Sequence, residues 1–240
     1  MFRKSIYGSS LFVLSGIAAP MMLPTPATCF GQDAAVADPP SETTEQPAPG
    51  QADLDEAMVL RIDADNAEKL QGVTALVESA LAKGLSDESK TFAKKMLASL
   101  QLERGQAIAA QLMQGGGRRL RQLRAEAMES LKSAVENDPE LVEAYMLIGR
   151  LNLLPEGDSQ EVVKAATKAI ELLKDNPVEQ SDAYLLRALR QPEDKDKIAD
   201  LDSAIKADPA SSDALQARAL LRLESQDVNG AVEDLQALLK

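Results

Sequence analysis

The chain contains no histidine, no tryptophan and a single cysteine, Cys29, and only 3% of its residues are aromatic. Without histidine, no side chain exchanges protons near neutral pH at its ordinary pKa, and Ser–His or Cys–His nucleophile pairs cannot form. The commonest neutral metal ligand is missing too, and one cysteine can neither close a disulfide within the chain nor build a zinc site. Cations are also scarce: 26 Lys and Arg stand against 38 Asp and Glu, for a formal net charge of -12. Phosphate binding needs clustered cations to displace counterions, so this composition speaks against nucleic acid and anionic membrane surfaces. These deficits point to a protein that is not an enzyme and needs no metal or other cofactor.

What is present is aliphatic. The 240 residues are 45% hydrophobic, rich in Ala and Leu, which is ample material for a core and a helical one. The strand signature, alternating Val, Ile and Thr, is missing.

MFRKSIYGSSLFVLSGIAAPMMLP opens with Arg3 and Lys4, continues with an apolar stretch, and gives way to small residues in TPATCFG. This is the layout of a secretory signal peptide, placed at 1–31, with cleavage expected between Ala27 and Ala35. The alternative is a retained anchor, but Gly8, Gly16 and Pro20 break the apolar run, so no stable membrane span is expected after processing. Lipid attachment at Cys29 is not expected either, because Pro26, Ala27 and Thr28 fit the motif for such attachment poorly. Removal of Arg3 and Lys4 with the leader makes the exported form, periplasmic or secreted, more acidic still.

Residues 32–53, QDAAVADPPSETTEQPAPGQAD, hold no Leu, Ile, Phe or Tyr. Such a segment cannot offset its ordering entropy by burial and reads as a disordered linker.

Helical spacing sets in near Leu54. Leu70, Val73, Leu76, Val77 and Ala80 share one face of a helix ending at Gly84, and a second helix starts at the capping-type Ser86 and runs to the glycines Gly115–Gly117. These form an N-terminal hairpin region, 54–117. From Arg118 to Lys240 a repeat appears: Ala134, Ala169, Ala204 and Leu238 each precede a branched aliphatic, at intervals of 35, 35 and 34 residues. Such a period indicates stacked two-helix units. The first helices carry a bulky residue four before a small one: Tyr145 and Gly149, Tyr184 and Ala188, Leu215 and Ala219. The second helices carry Ala127, Leu131 and Ala134, then Val162, Ala166 and Ala169, then Lys197, Leu201 and Ala204, then Ala231, Leu235 and Leu238. Pro139, Pro177 and Pro209 are expected to end three of these second helices, and the last unit reads as uncapped.

At these residues the chain resembles the tetratricopeptide repeat family, of which it looks like an exported bacterial member. The resemblance is good over 118–240 and weakens over 54–117 to helical hairpins of similar size. It implies an all-α, right-handed α-solenoid of antiparallel helix hairpins, with a concave groove lined by successive first helices. Carried over, the groove positions are Glu143, Met146 and Arg150, then Asp182, Leu185 and Leu189, then Asp213, Gln216 and Leu220. The Lys and Asn with which some family members grip a C-terminal carboxylate are replaced here by Met146, Arg150, Gln216 and Leu220. A mixed acidic and apolar groove suits a peptide segment with basic residues, although acidic residues also favour a helix's first turn for its own sake.

Other motifs carry less. Gly115–Gly117 precede Arg118 and Arg119 rather than Lys-Ser or Lys-Thr, so they read as a hairpin turn, not a phosphate loop. DADNAEK at 63–69 has Glu68 where a calcium loop needs Gly, and reads as a helix start. EDKDK at 193–197 reads as a charged turn. The one basic cluster, Arg118, Arg119, Arg121 and Arg124, opposes the helix dipole. It is either a contact for an anionic partner or is paired with Glu126, Glu129 and acids of a neighbouring helix. The function expected is a noncatalytic exported scaffold or adaptor that binds protein or peptide segments, with the uncapped C-terminal end as a further association surface. Two alternatives are the targeting or regulatory part of an enzyme whose catalytic domain lies beyond residue 240, and a cell-envelope assembly factor.

Overall fold

The computed structural model describes residues 47–114 and 119–239. The leader, its cleavage site, Cys29, the linker up to residue 46, the glycine turn and Arg118 lie outside them. Among the described residues there are ten α-helices and no strand: α1 (Gln51–Ile62), α2 (Ala67–Lys83), α3 (Asp87–Met113), α4 (Leu120–Asn137), α5 (Val142–Asn152), α6 (Ser159–Leu172), α7 (Pro177–Ala188), α8 (Asp194–Ala207), α9 (Ser212–Glu224) and α10 (Val228–Ala237).

Most helix starts are set by local chemistry. The side chains of Asn66, Ser86, Asp158, Asn176, Ser211 and Asp227 each accept a hydrogen bond from a backbone N–H in the first turn that follows, satisfying donors that a helix leaves open. Asn66 is the centre of DADNAEK, and Lys69 Nζ donates to Asp63 O and Asp65 Oδ1, both at 2.9 Å, so that motif is a helix start closed by its own lysine. EDKDK differs from expectation. Asp194 already belongs to α8, and Lys197 pairs with it at 2.7 Å across the first turn; two acids near the positive end of the helix dipole favour helix there. Pro177 also differs: α6 ends at Leu172, and Pro177 is the first residue of α7, where its missing N–H costs nothing.

The helices pair as five hairpins, α1/α2, α3/α4, α5/α6, α7/α8 and α9/α10. Each second helix packs on the first helix of the next hairpin. First helices also touch one another, as α3 on α5, α5 on α7 and α7 on α9, while no two second helices come into comparable contact. The stack therefore curves with the first helices on its inner side, the solenoid arrangement that the tetratricopeptide resemblance implies.

The repeat positions form the seam. Ala127, Leu131, Ala134, Val162, Ala166, Ala169, Leu201, Ala204 and Ala231 are all buried. Gly149 shows what the small residues do: a Cβ placed there would lie 2.6 Å from Leu186 Cδ2 of α7, so a side chain would hold the two helices apart. Gly105 in α3 admits Leu131 of α4 in the same way.

The N-terminal boundaries shift. α1 starts at Gln51, three residues before the expected onset of helix, and Gly50 N donates to Gly84 O at 2.9 Å. α3 has 27 residues, and at about 1.5 Å rise per residue this is the longest rod in the fold. Its first half packs Ala93, Leu97 and Leu100 with α1 and α2, and its second half packs Ala109 and Leu112 with α4 and α5. α3 is thus the first helix of the unit that α4 completes, and the divide drawn at 117/118 falls inside that hairpin.

Candidate functional site

Because first helices line the inner side, their outward positions face a common groove. α5 enters it through Glu143, Met146 and Arg150, and α7 through Glu179 and Asp182, three residues apart and so on one face of the helix. Between α3, α5 and α7 these residues, with Gln106, Val142, Leu147 and Leu173, enclose a hollow of about 400 Å³. Met146 is buried and forms part of its floor, packed in the cluster of Val162, Ala166 and Leu186. Glu143, Asp182 and Arg150 are exposed at its rim. Three carboxylates face one guanidinium, so the rim favours an incoming cation while the floor offers apolar contact.

Of the groove residues expected from sequence, the structure brings Glu143, Met146, Arg150 and Asp182 into this hollow. Leu185 lies further along α7, half-buried against the next core cluster, and Leu189 caps its C-terminal end, exposed. Asp213, Gln216 and Leu220 lie on α9, all exposed, outside the hollow. Gln106, Val142, Leu147, Leu173 and Glu179 complete the hollow and were not foreseen. Gln106 was hidden because α3 was not recognised as the partner of α4, whereas Glu179 could have been found from its spacing to Asp182.

The arginine cluster is placed against a loop. Arg121 donates to Glu156 from Nε at 2.5 Å and from Nη2 at 2.6 Å, and Arg124 donates to the carbonyls of Pro155 and Glu156 at 2.6 and 2.8 Å. Glu156 adopts a positive φ of 64°, which costs free energy for a residue other than glycine, and the two arginines grip it there. The hydrogen bond from Arg121, aided by the charges of Arg121 and Arg124, holds the Glu156 carboxyl below its ordinary range against partial desolvation. The same contact raises Arg121. Arg119 stands exposed at the start of α4. Arg121 and Arg124 meet the α5–α6 loop rather than Glu126 or Glu129.

A second set of ionic contacts lies inside the stack. Arg187 of α7 donates to both oxygens of Asp200 in α8, at 2.6 and 3.0 Å, and to Thr167 Oγ1 of α6 at 3.2 Å. Arg218 of α9 repeats the arrangement with Asp234 of α10 at 2.5 and 3.0 Å and with Asp202 of α8 at 2.7 Å. Asp200 and Asp234 are buried. Each arginine ties its own hairpin to the second helix before it, and each aspartate stands four residues before the repeat alanine or leucine. That recurrence was visible in the sequence and was overlooked because the apolar pattern was read alone.

Among the described residues no group of His, Cys, Asp and Glu is arranged to hold a metal, and no helix is long and apolar enough to cross a membrane. No family model and no curated protein matches the chain. Among solved structures, the crystal structure of MamA protein is similar over 80% of this chain and 90% of its own, at 22% identity and a TM-score of 0.49. The crystal structure of YrrB, described as a TPR protein with an unusual peptide-binding site, is similar over 78% of this chain and 83% of its own, at 14% identity and a TM-score of 0.48.

Proposed function

We propose that this protein is a noncatalytic, exported scaffold that binds protein segments in the groove between α3, α5 and α7. The observation that carries the reading is the hollow itself, with Met146 and Leu147 below and Glu143, Glu179 and Asp182 above. A segment with a basic residue next to an aliphatic one matches it, the cation meeting the rim and the aliphatic chain meeting the floor. Export rests on the leader sequence alone. Mass spectrometry of the protein recovered from cells tests it, the expected new N-terminus falling between Ala27 and Ala35.

For the groove, a photocrosslinker introduced at Leu185, beside the hollow and half-buried, should capture a partner segment in intact cells. The captured segment, synthesised, should bind the purified protein, and Asp182→Lys should weaken that binding at least tenfold, the loss of about 1.4 kcal/mol. Capture of the chain by itself, or binding indifferent to Asp182→Lys, would sink the proposal.

A second contact surface is favoured by exposure at α9 and α10. Leu220, Leu223, Val228, Val232, Leu235 and Leu239 are all exposed. Leu235 occupies the repeat position at which Leu131, Ala166 and Leu201 are buried. We infer that this face takes part in association, and light scattering over a concentration series tests it. The average mass should rise with concentration, and Leu235→Lys together with Val232→Lys should hold it at the monomer value.

A further inference from the structure

Two hollows flank the α5/α6 hairpin, and their charges differ. The one between α4, α5 and α6, about 630 Å³ in volume, is lined by Lys132, Lys164 and Lys168 and by Glu136, Glu161 and Glu171, so its charges cancel and select no ligand. The one between α3, α5 and α7 sets Glu143, Glu179 and Asp182 against Arg150. None of these four side chains joins an ion pair among the described residues.

The repeat register shows why Arg150 is left over. In α7 and α9 the residue before the small one is Arg187 or Arg218, and each reaches a buried aspartate of its second helix, Asp200 or Asp234. In α5 that place holds Ile148, with Ala165 where the aspartate would stand. The arginine of α5 comes two residues later, on the groove side. Level with it are Gln106 on α3 and Leu189 at the end of α7, each one residue past the small residue of its helix, and neither is a carboxylate. The three carboxylates stand at the other end. α5 and α7 open successive hairpins and run in the same direction; Glu143 and Asp182 are each six residues before the small residue, and Glu179 is one turn earlier. At about 1.5 Å rise per residue, this acidic end lies about 10–15 Å from Arg150 along the helices.

We infer that the hollow selects a bipolar, extended protein segment, with a basic residue at the acidic end, an aliphatic residue over Val142, Met146 and Leu147, and an acidic residue at Arg150. This rests on the groove reading and adds to it the acidic residue and the spacing. A strand places side chains i, i+2 and i+4 on one face, and the outer two are about 13 Å apart, which matches the separation of the charges. A helix is too thick: at about 10–12 Å across, a stretch about 10 Å long fills on the order of 800 Å³, well above the hollow's volume of about 400 Å³. A purely basic segment would bring a cation to Arg150, where no carboxylate of the chain offsets the repulsion.

The test uses the full 240-residue chain with isotope-labelled Met methyl groups. It is titrated with three peptides blocked at both ends, Lys-Thr-Leu-Thr-Glu, Lys-Thr-Leu-Thr-Gln and Lys-Thr-Leu-Thr-Lys. The Met146 methyl signal should shift saturably, with the Glu peptide about fivefold tighter than the Gln peptide, the worth of an exposed ion pair, and the Lys peptide weakest. Arg150→Glu should reverse the order, so that the Lys peptide binds tightest. Arg150 is exposed, so its replacement leaves the packing intact, which circular dichroism checks; the comparison of Glu and Gln peptides on the unaltered chain does not depend on it. Equal affinity of those two peptides, or an order that Arg150→Glu leaves unchanged, overturns the inference while the groove reading stands. No response of Met146 to any of the three peptides overturns both.

Discussion

Gly149 lies where Leu186 of the next unit crosses its helix, and the two set the spacing of α5 and α7. Helix propensity alone would favour a larger residue by up to about 1 kcal/mol, but a Cβ there would lie 2.6 Å from Leu186 Cδ2, and the burial of Leu186 leaves no room for one. Gly149→Val is expected to destabilise the protein by about 1–3 kcal/mol, as overpacked cores do. Adding Leu186→Ala should recover part of the loss, and a double-mutant cycle from thermal melts measures the coupling.

Asp53 sets a second prediction at this scale. It accepts from Lys83 Nζ at 2.6 Å and from Ser79 Oγ at 2.5 Å, joining α1 to α2. These bonds, Lys83 first and Ser79 next, hold its carboxyl below the ordinary value of 3.8 against partial desolvation. A depressed carboxylate contributes stability that is present above its unfolded pKa and lost as pH falls through its folded one. Carboxyl-detected NMR titration should therefore place Asp53 below the ordinary value, and Lys83→Met should move it upward. The stability gap between the two proteins should close in acid.

At the scale of the helix pair, the buried aspartates decide how hairpins are tied together. Asp200→Ala leaves the Arg187 guanidinium, only about one-fifth exposed, without its carboxylate, and a broken pair of this kind costs about 3–5 kcal/mol. Replacing both partners, Arg187→Ile with Asp200→Ala, reproduces the Ile148 and Ala165 pair of the preceding hairpin and should cost clearly less. Urea midpoints at unchanged slope distinguish the two outcomes. The long α3 belongs to the same scale: it carries one core on its first half and another on its second, so the N-terminal hairpin and the repeats share an element.

For the whole molecule, stability in such a stack is a sum of hairpins and nearest-neighbour contacts. α6 is covered on both sides, by α5 and by α7, whereas among the described residues α10 has α9 as its one extensive neighbour and exposes Val232 and Leu235. Amide hydrogen exchange should therefore be faster throughout α10 than in α6. Equal protection would mean that the chain unfolds as a single unit. The groove and the hollow between α4, α5 and α6 lie on the inner and outer sides of the α5/α6 hairpin, which contributes Met146 to one and Tyr145 to the other.

Apolar spacing, cap residues and a period near 35 residues were enough to read helices, their pairing over 118–240 and the buried repeat positions, because these depend on contacts within a unit or between copies of one unit. The resemblance to the tetratricopeptide repeat family, carried over at the repeat positions, marked Glu143, Met146, Arg150 and Asp182. Neither could reveal that α3 pairs with α4, since α3 serves two cores and shows no single apolar face, nor that Arg121 and Arg124 clasp a loop about thirty residues on in the chain. The cavity beside Ile148 was beyond reach as well. An alanine and an isoleucine at these positions look like ordinary core, and both are buried; the space beside them opens because second helices stand apart on the outer side of a curved stack, and their spacing is set by packing across hairpins rather than by any local run of residues.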